Sequence, residues 1–256
     1  MRLRFRFRTI PFIVTVLLVA LGVLLGNWQT RRAVEKTALL ARVKQRMAGP
    51  AVVLGAAPVD PAAVEFRHII VTGEFVPTWP VYLDNRPYQG GSGFGVLMPF
   101  KIAWSGTPGA EGSGPDKYVL VERGWLPHGA RHDAVPPLAT PRGRIRIDGV
   151  ALLRPGRVLQ LGTPAPLKPG AIVQNLELQD FARASGLDLQ PFLLEQLGPD
   201  VGGSYTTGLA PQRNWTIPGI DVARHRGYAF QWYGLATMAF LFFVITGFRS
   251  ASKQAA

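Results

Sequence analysis

The 256-residue chain contains no cysteine. That absence excludes disulfides, thiolate zinc or copper sites, C-x-x-C redox chemistry and covalent c-type haem attachment. There is no G-x-S-x-G elbow, and Ser92, Ser105, Ser113, Ser185 and Ser204 lie in glycine-rich or polar contexts with no local partner for nucleophilic catalysis. Basic runs interleaved with aromatics, zinc fingers and RNA-binding signatures are also missing, so the net charge of +12 does not point to nucleic acid. Half of that charge sits on Arg2, Arg4, Arg6, Arg8, Arg249 and Lys253, in two tails without an acidic residue. GGSGFG, from Gly90 to Gly95, lacks both a following helix pattern and a Lys-Ser/Thr pair; it reads as a turn feeding a strand, not a phosphate cradle.

What the chain has in excess is apolar sequence, 47% of its residues. Two stretches, Thr9 to Thr30 and Gly227 to Phe248, carry no charge at all. As helices each extends about 33 Å, enough to cross the ~30 Å hydrocarbon core of a bilayer. The first has the basic and apolar regions of a signal peptide, but the bulky, polar NWQTRR follows it in place of an A-x-A cleavage site, which favours a retained anchor. The basic tails place both termini in the cytoplasm and the intervening residues on the outer side, although Arg31, Arg32, Lys36, Arg224 and Arg226 flank the spans on that side. The expected organisation is a cytoplasmic tail (1–9), a first transmembrane helix (10–30), an exported domain with an N-terminal helical stalk (31–223), a second transmembrane helix (224–248) and a second cytoplasmic tail (249–256).

The stalk rests on Ala33, Leu39, Leu40 and Val43, which recur at helical spacing before Pro50 and AAPVDPAA end the pattern. Beyond them the period becomes two. Residues 67–76, 80–84, 93–100, 118–126 and 144–153 are short, β-branched or aromatic, and bounded by turn formers, so they predict five strands of an antiparallel sheet curled into a barrel or sandwich. LELQDFARASG, 176–186, predicts a helix ended by Gly186, and TPGAEGSGPD, 107–116, a hairpin loop. The fold class expected is therefore a membrane α+β protein: two transmembrane helices flanking a β-rich exported domain with one or two short helices.

Among the histidines, His68 falls within a predicted strand and reads as a strand-face residue. His128 and His132, with Asp133 adjacent, have an i, i+4 spacing suited to a metal pair on a helix, but Pro127 and Gly129 favour a surface loop. His225 differs. On a helix His225, Tyr228, Ala229 and Trp232 share one face at the mouth of the second span. One reading is an interfacial belt of aromatic and basic residues. The other is an axial imidazole beside an apolar wall suited to a porphyrin, with Arg224 and Arg226 as propionate partners and Arg31 and Arg32 as further candidates. Gln231 inside the span implies a partner helix.

HRGYAFQWYGLA, 225–236, resembles the H-x-G-Y-A-x-Q-W-[FY]-x-L-A signature of the surfeit locus protein 1 family. LGNWQTRRAVEK, 25–36, is similar to that family's L-G-x-W-Q-x-x-R-x-x-x-K, matching at Gly26, Trp28, Gln29, Arg32 and Lys36. VTGEF (71–75), NRPYQGGSGFGVLMPF (85–100), VLVERGWLP (119–127) and IDGVALLRP (147–155) follow in the family's order. Arg226 stands where an apolar residue is common in the motif, and 156–170 is rich in glycine and proline.

The resemblance implies a bacterial, two-pass protein of the inner (plasma) membrane, its large domain periplasmic. It implies a non-enzymatic assembly factor for haem-copper cytochrome c oxidase, which binds haem a as transient cargo and aids its insertion into the catalytic subunit. The expected partners are that subunit, haem A synthase and membrane lipid. The family's proposed ligand to the haem iron corresponds to His225, with Tyr228, Gln231 and Trp232 in the same motif. An alternative is a scaffold that stabilises an oxidase subunit intermediate without touching haem, with Gln29 and Gln231 among its contacts. A membrane-tethered enzyme, resting on His128 and His132, is a third.

Overall fold

The computed structural model describes residues 3–5, 7–103, 115–129, 134–160, 162, 164–213 and 222–250. His132, Asp133, most of the 107–116 hairpin loop, Ser105 and the tail residues Arg2, Arg6 and Lys253 lie outside them. The chain divides into two units, Met1–Arg42 with Gly219–Ala256, and Val43–Pro218.

The first unit is built on two helices, α1 (Thr9–Met47) and α4 (Val222–Gly247), with strands β1 (Leu3–Phe5) and β12 (Phe248–Ser250) at one end. Both helices are long and apolar enough to cross a membrane, as the uncharged runs predict. The amphipathic stalk is no separate element: α1 continues through it and stops three residues before Pro50, whose ring cannot continue a helix. β1 and β12 pair antiparallel, with Phe5 opposite Phe248.

The second unit holds strands β2 (Val52–Leu54), β3 (His68–Phe75), β4 (Val81–Tyr88), β5 (Gly91–Ile102), β6 (Tyr118–Pro127), β7 (Pro141–Arg142), β8 (Ile145–Leu152), β9 (Ile172–Val173), β10 (Leu189–Gln196) and β11 (Ser204–Tyr205). Two short helices accompany them, α2 (Pro61–Val64) and α3 (Leu178–Ser185). The five strands expected from alternation are β3, β4, β5, β6 and β8. Between β4 and β5, Gln89 and Gly90 both take positive φ, 47° and 84°, which is the hairpin geometry that matches strand twist; the glycine-rich GGSGFG is that turn and the start of β5. α3 ends as expected, with Gly186 left-handed at φ 70° and its N–H bonded to the Ala182 carbonyl.

The eight strands β2-β3-β8-β10-β6-β5-β4-β9 form one sheet, and an additional β3–β5 pairing closes β3, β8, β10, β6 and β5 into a barrel. This resolves the choice between barrel and sandwich. It also adds parallel pairs, β10 with β6, β2 with β3 and β4 with β9, to a sheet expected to be antiparallel. The strand that closes the ring, β10, was not among the five expected, because LQPFLLEQ carries a proline and too little alternation to stand out.

Inward side chains Ile69, Val71, Phe100, Val119, Val121, Ile147, Phe192 and Leu194 fill the barrel. Outward ones on β5, β6 and β10 (Leu97, Leu120, Leu193) meet Val81 and Leu83 of β4, Val173 of β9 and Phe181 of α3 in a second apolar layer. Each fully buried side chain of this kind contributes about 1.5–3 kcal/mol. Arg123 follows Val121 inward and is fully buried: its guanidinium lies 4.4 Å over the Phe75 ring and donates to Thr140 Oγ1 (3.1 Å) and the Ala139 carbonyl (3.0 Å). Burial lowers its pKa to about 10, still well charged at neutral pH.

Candidate functional site at the paired helices

α1 and α4 run antiparallel within their unit. As numbers rise along α1, the partners on α4 fall: Phe12 packs on Phe243, Gly22 on Ala236, Gly26 on Tyr233, and Gln29 on His225. Positions 22, 26, 29 and 33 repeat at four, three and four residues, which lines one seam of a helix. Three of them are Gly22, Gly26 and Ala33, and on the other side Ala229 and Ala236 are buried. Small residues suit such a seam. In lipid there is no hydrophobic drive between helices, and close backbone approach supplies the packing. A methyl group at Gly22 would stand 2.9 Å from the Ala236 Cβ and 3.0 Å from the Trp232 carbonyl oxygen.

The remaining seam position is polar. Gln29 is 9% exposed, and its Oε1 lies 2.7 Å from Nδ1 of half-buried His225. An amide oxygen can only accept, so Nδ1 carries the hydrogen and donates it. Nε2 has no hydrogen-bond partner among the described residues. On the neighbouring turn the Tyr233 hydroxyl donates to Asn27 Oδ1 (2.7 Å) and lies 3.4 Å from Thr30 Oγ1.

These contacts place each candidate. At about 100° per residue, Ala229, Trp232 and Ala236 fall within about 40° of His225, whereas Tyr228 lies about 60° to one side. Contacts with α1 then sort the residues of that face. Ala229 belongs to the seam, Trp232 is half-buried beside it, and Tyr228, 46% exposed, stands on the flank. Arg224 falls on the Tyr228 side, and Arg226 on the opposite side with Tyr233; both are exposed. Arg31 and Arg32 are exposed on α1, and Arg32 is bonded to Glu35 at 3.0 Å.

The other described histidines lie in the barrel unit. His128 Nε2 lies 3.0 Å from Asp84 Oδ1 and its ring meets Phe94 edge-on at 4.5 Å; His68 is half-buried on β3. Among the described residues no three His, Cys, Asp or Glu side chains gather as a metal site. A groove of about 420 Å³ beside α3 contains the Arg157–Glu177 and Arg183–Asp180 ion pairs, and no histidine or serine lines it.

One further polar cluster, in the second unit, escaped the sequence. Glu122 on β6 is the register partner of Glu195 on the parallel strand β10, and both face outward with Leu120 and Leu193. Burial pushes the Glu122 carboxyl up to about 7, partly offset by Arg86. Burial and then the Glu122 charge push Glu195 up to about 8. Nothing in either strand's alternation reveals the pair, because LQPFLLEQ shows too little alternation to read as a strand and parallel register cannot be read from one sequence.

A model of the SURF1 family matches residues 16–237, most of the chain and part of each of the two long helices. The chain belongs to the SURF1 family. It is 28% identical over 225 residues to a SURF1-like protein of Rickettsia conorii, covering 86% of this chain and 84% of the relative. A SURF1-like protein of Rickettsia bellii is 28% identical over 218 residues, 84% of this chain and 81% of the relative. The cytochrome oxidase assembly protein SHY1 of Saccharomyces cerevisiae is 29% identical over 104 residues, 40% of this chain and 24% of that protein. Within this SURF1-family chain, the matched region takes in Gln29 and His225.

Proposed function

We propose that this chain is a non-enzymatic carrier that holds haem a at the outer face of a bacterial inner membrane and hands it to the catalytic subunit of cytochrome c oxidase during assembly. Family membership and the assembly role in the name of the yeast relative support the oxidase. The observation that carries the haem reading is the placement of His225: a half-buried imidazole whose Nδ1 lies 2.7 Å from Gln29 Oε1, and whose Nε2 has no hydrogen-bond partner among the described residues. Neutral imidazole is a ligand for haem iron.

Around it, Tyr228 and Trp232 supply aromatic surface for the porphyrin, Arg224 and Arg226 supply charge for the propionates, and Arg32 serves if it exchanges Glu35 for the cargo. β1 and β12 pair at one end of the two helices, which with the basic residues of the two tail sequences favours a cytoplasmic location for that end and a periplasmic barrel. Haem A synthase is the source of the cargo.

The test is the visible spectrum of the full chain purified from cells with and without haem A synthase. Haem a is expected to accompany the protein only when the synthase is present, and to be lost from His225→Ala. Full occupancy in that variant would sink the ligand assignment. Unchanged co-purification with the catalytic subunit in the absence of haem a would favour a scaffold.

A further inference from the structure

The geometry points to Gln29 as the positioning residue that sets the tautomer of His225 and so decides which ring nitrogen meets the haem iron. This rests on the reading of His225 as haem ligand and goes beyond it, since it assigns a role on the other helix, 196 residues away in sequence.

Three observations carry it. Gln29 is nearly fully buried at a seam position otherwise filled by Gly22, Gly26 and Ala33. An amide in that apolar setting is costly unless it is bonded. Its Oε1 has a partner at 2.7 Å, and that partner is His225 Nδ1. Finally, the seam is tight, with Ala229 and Ala236 buried and Gly22 admitting no side chain, so neither helix can rotate to unmake the pair without losing close packing.

A neutral imidazole has one N–H and one lone pair, and two tautomers compete when it is free. An acceptor fixed at Nδ1 selects the Nδ1–H form. The lone pair is then at Nε2, and donation at Nδ1 raises its basicity toward a metal. Gln29 thus stands toward His225 as carboxylates and carbonyls stand toward metal-binding histidines, using a neutral oxygen that does not add a charge to the helix seam.

The experiment uses the full chain in detergent, with Gln29→Leu, which keeps the bulk and deletes the acceptor, and Gln29→Glu, which keeps an acceptor and deletes the amide donors. Without haem, histidine-labelled protein is read by nitrogen NMR, His225 being assigned by its absence in His225→Ala. The parent and Gln29→Glu are expected to show a protonated Nδ1 and an unprotonated Nε2; Gln29→Leu is expected to show mixed tautomers. With haem a, Gln29→Leu is expected to bind about 10–100-fold more weakly and to raise the haem midpoint potential. Gln29→Glu is expected to restore binding and lower that potential.

A parent protein protonated at Nε2, or a Gln29→Leu variant with unchanged affinity, potential and tautomer, overturns the inference while leaving the haem reading intact. Absence of haem a from the parent, made with haem A synthase present, overturns both.

Discussion

Gly26 lies directly beneath the Tyr233 ring: a Cβ at position 26 would stand 2.6 Å from the ring's Cε1. That approach brings the Tyr233 hydroxyl to Asn27, and one turn along the seam Gln29 reaches His225. Replacing Gly26 with leucine forces the two helices apart, at a cost of about 1–3 kcal/mol or more. Because the chain has no cysteine, Phe12→Cys with Phe243→Cys reports the pairing through a short thiol crosslinker. Efficient crosslinking is expected in the parent and a marked loss with Gly26→Leu; equal yields would refute the seam.

Phe181 anchors α3 on the outer wall of the barrel, fully buried and edge-on to Trp79 at 5.8 Å. Phe181→Ala should destabilise the barrel unit by about 3–5 kcal/mol, the transfer term plus the cavity. Denaturant unfolding followed by tryptophan fluorescence measures it. A change below about 1 kcal/mol would mean that α3 is dispensable to the core.

Glu122 and Glu195 make stability depend on pH. Both carboxyls are held above their usual value of 4.5, at about 7 and about 8. Between those limits the fold keeps protons that the unfolded chain releases, so the contribution of these two groups to stability is fully present at pH 4.5 and below and is lost as pH rises toward 8. For Glu122 alone the loss is on the order of 3 kcal/mol. Glu122→Gln is expected to flatten that part of the profile and to raise the melting temperature at pH 8. An unchanged profile would place the carboxyl in water.

His128 serves the barrel, through Asp84 and Phe94. His128→Ala is expected to lower stability by about 1–2 kcal/mol and to leave haem a on protein made with the synthase. Loss of haem or of oxidase assembly in a folded His128→Ala variant would redirect attention from the helices to the barrel.

Local pattern determined much of this protein. The two uncharged runs could only be long apolar helices; β3, β4, β5, β6 and β8 were legible from two-residue alternation; Gly186 marked the end of α3; and the motif around His225 named the candidate ligand. What the chain alone did not settle depends on residues far apart. LQPFLLEQ became a strand only because β8 and β6 offered it both edges, so closure of the barrel and the parallel register that sets Glu195 beside Glu122 came from packing.

The same holds at the site. Helical spacing put His225, Tyr228, Ala229 and Trp232 on one face, and only the approach of α1 decided that Ala229 belongs to the seam and Tyr228 to the flank. Gln29 was visible as a matched position of the LGNWQTRRAVEK motif at the end of an apolar run. Its partner was not, because a hydrogen bond between residues 196 positions apart is set by the antiparallel stagger of two helices, and that stagger is fixed by where Gly22 and Gly26 let the backbones meet.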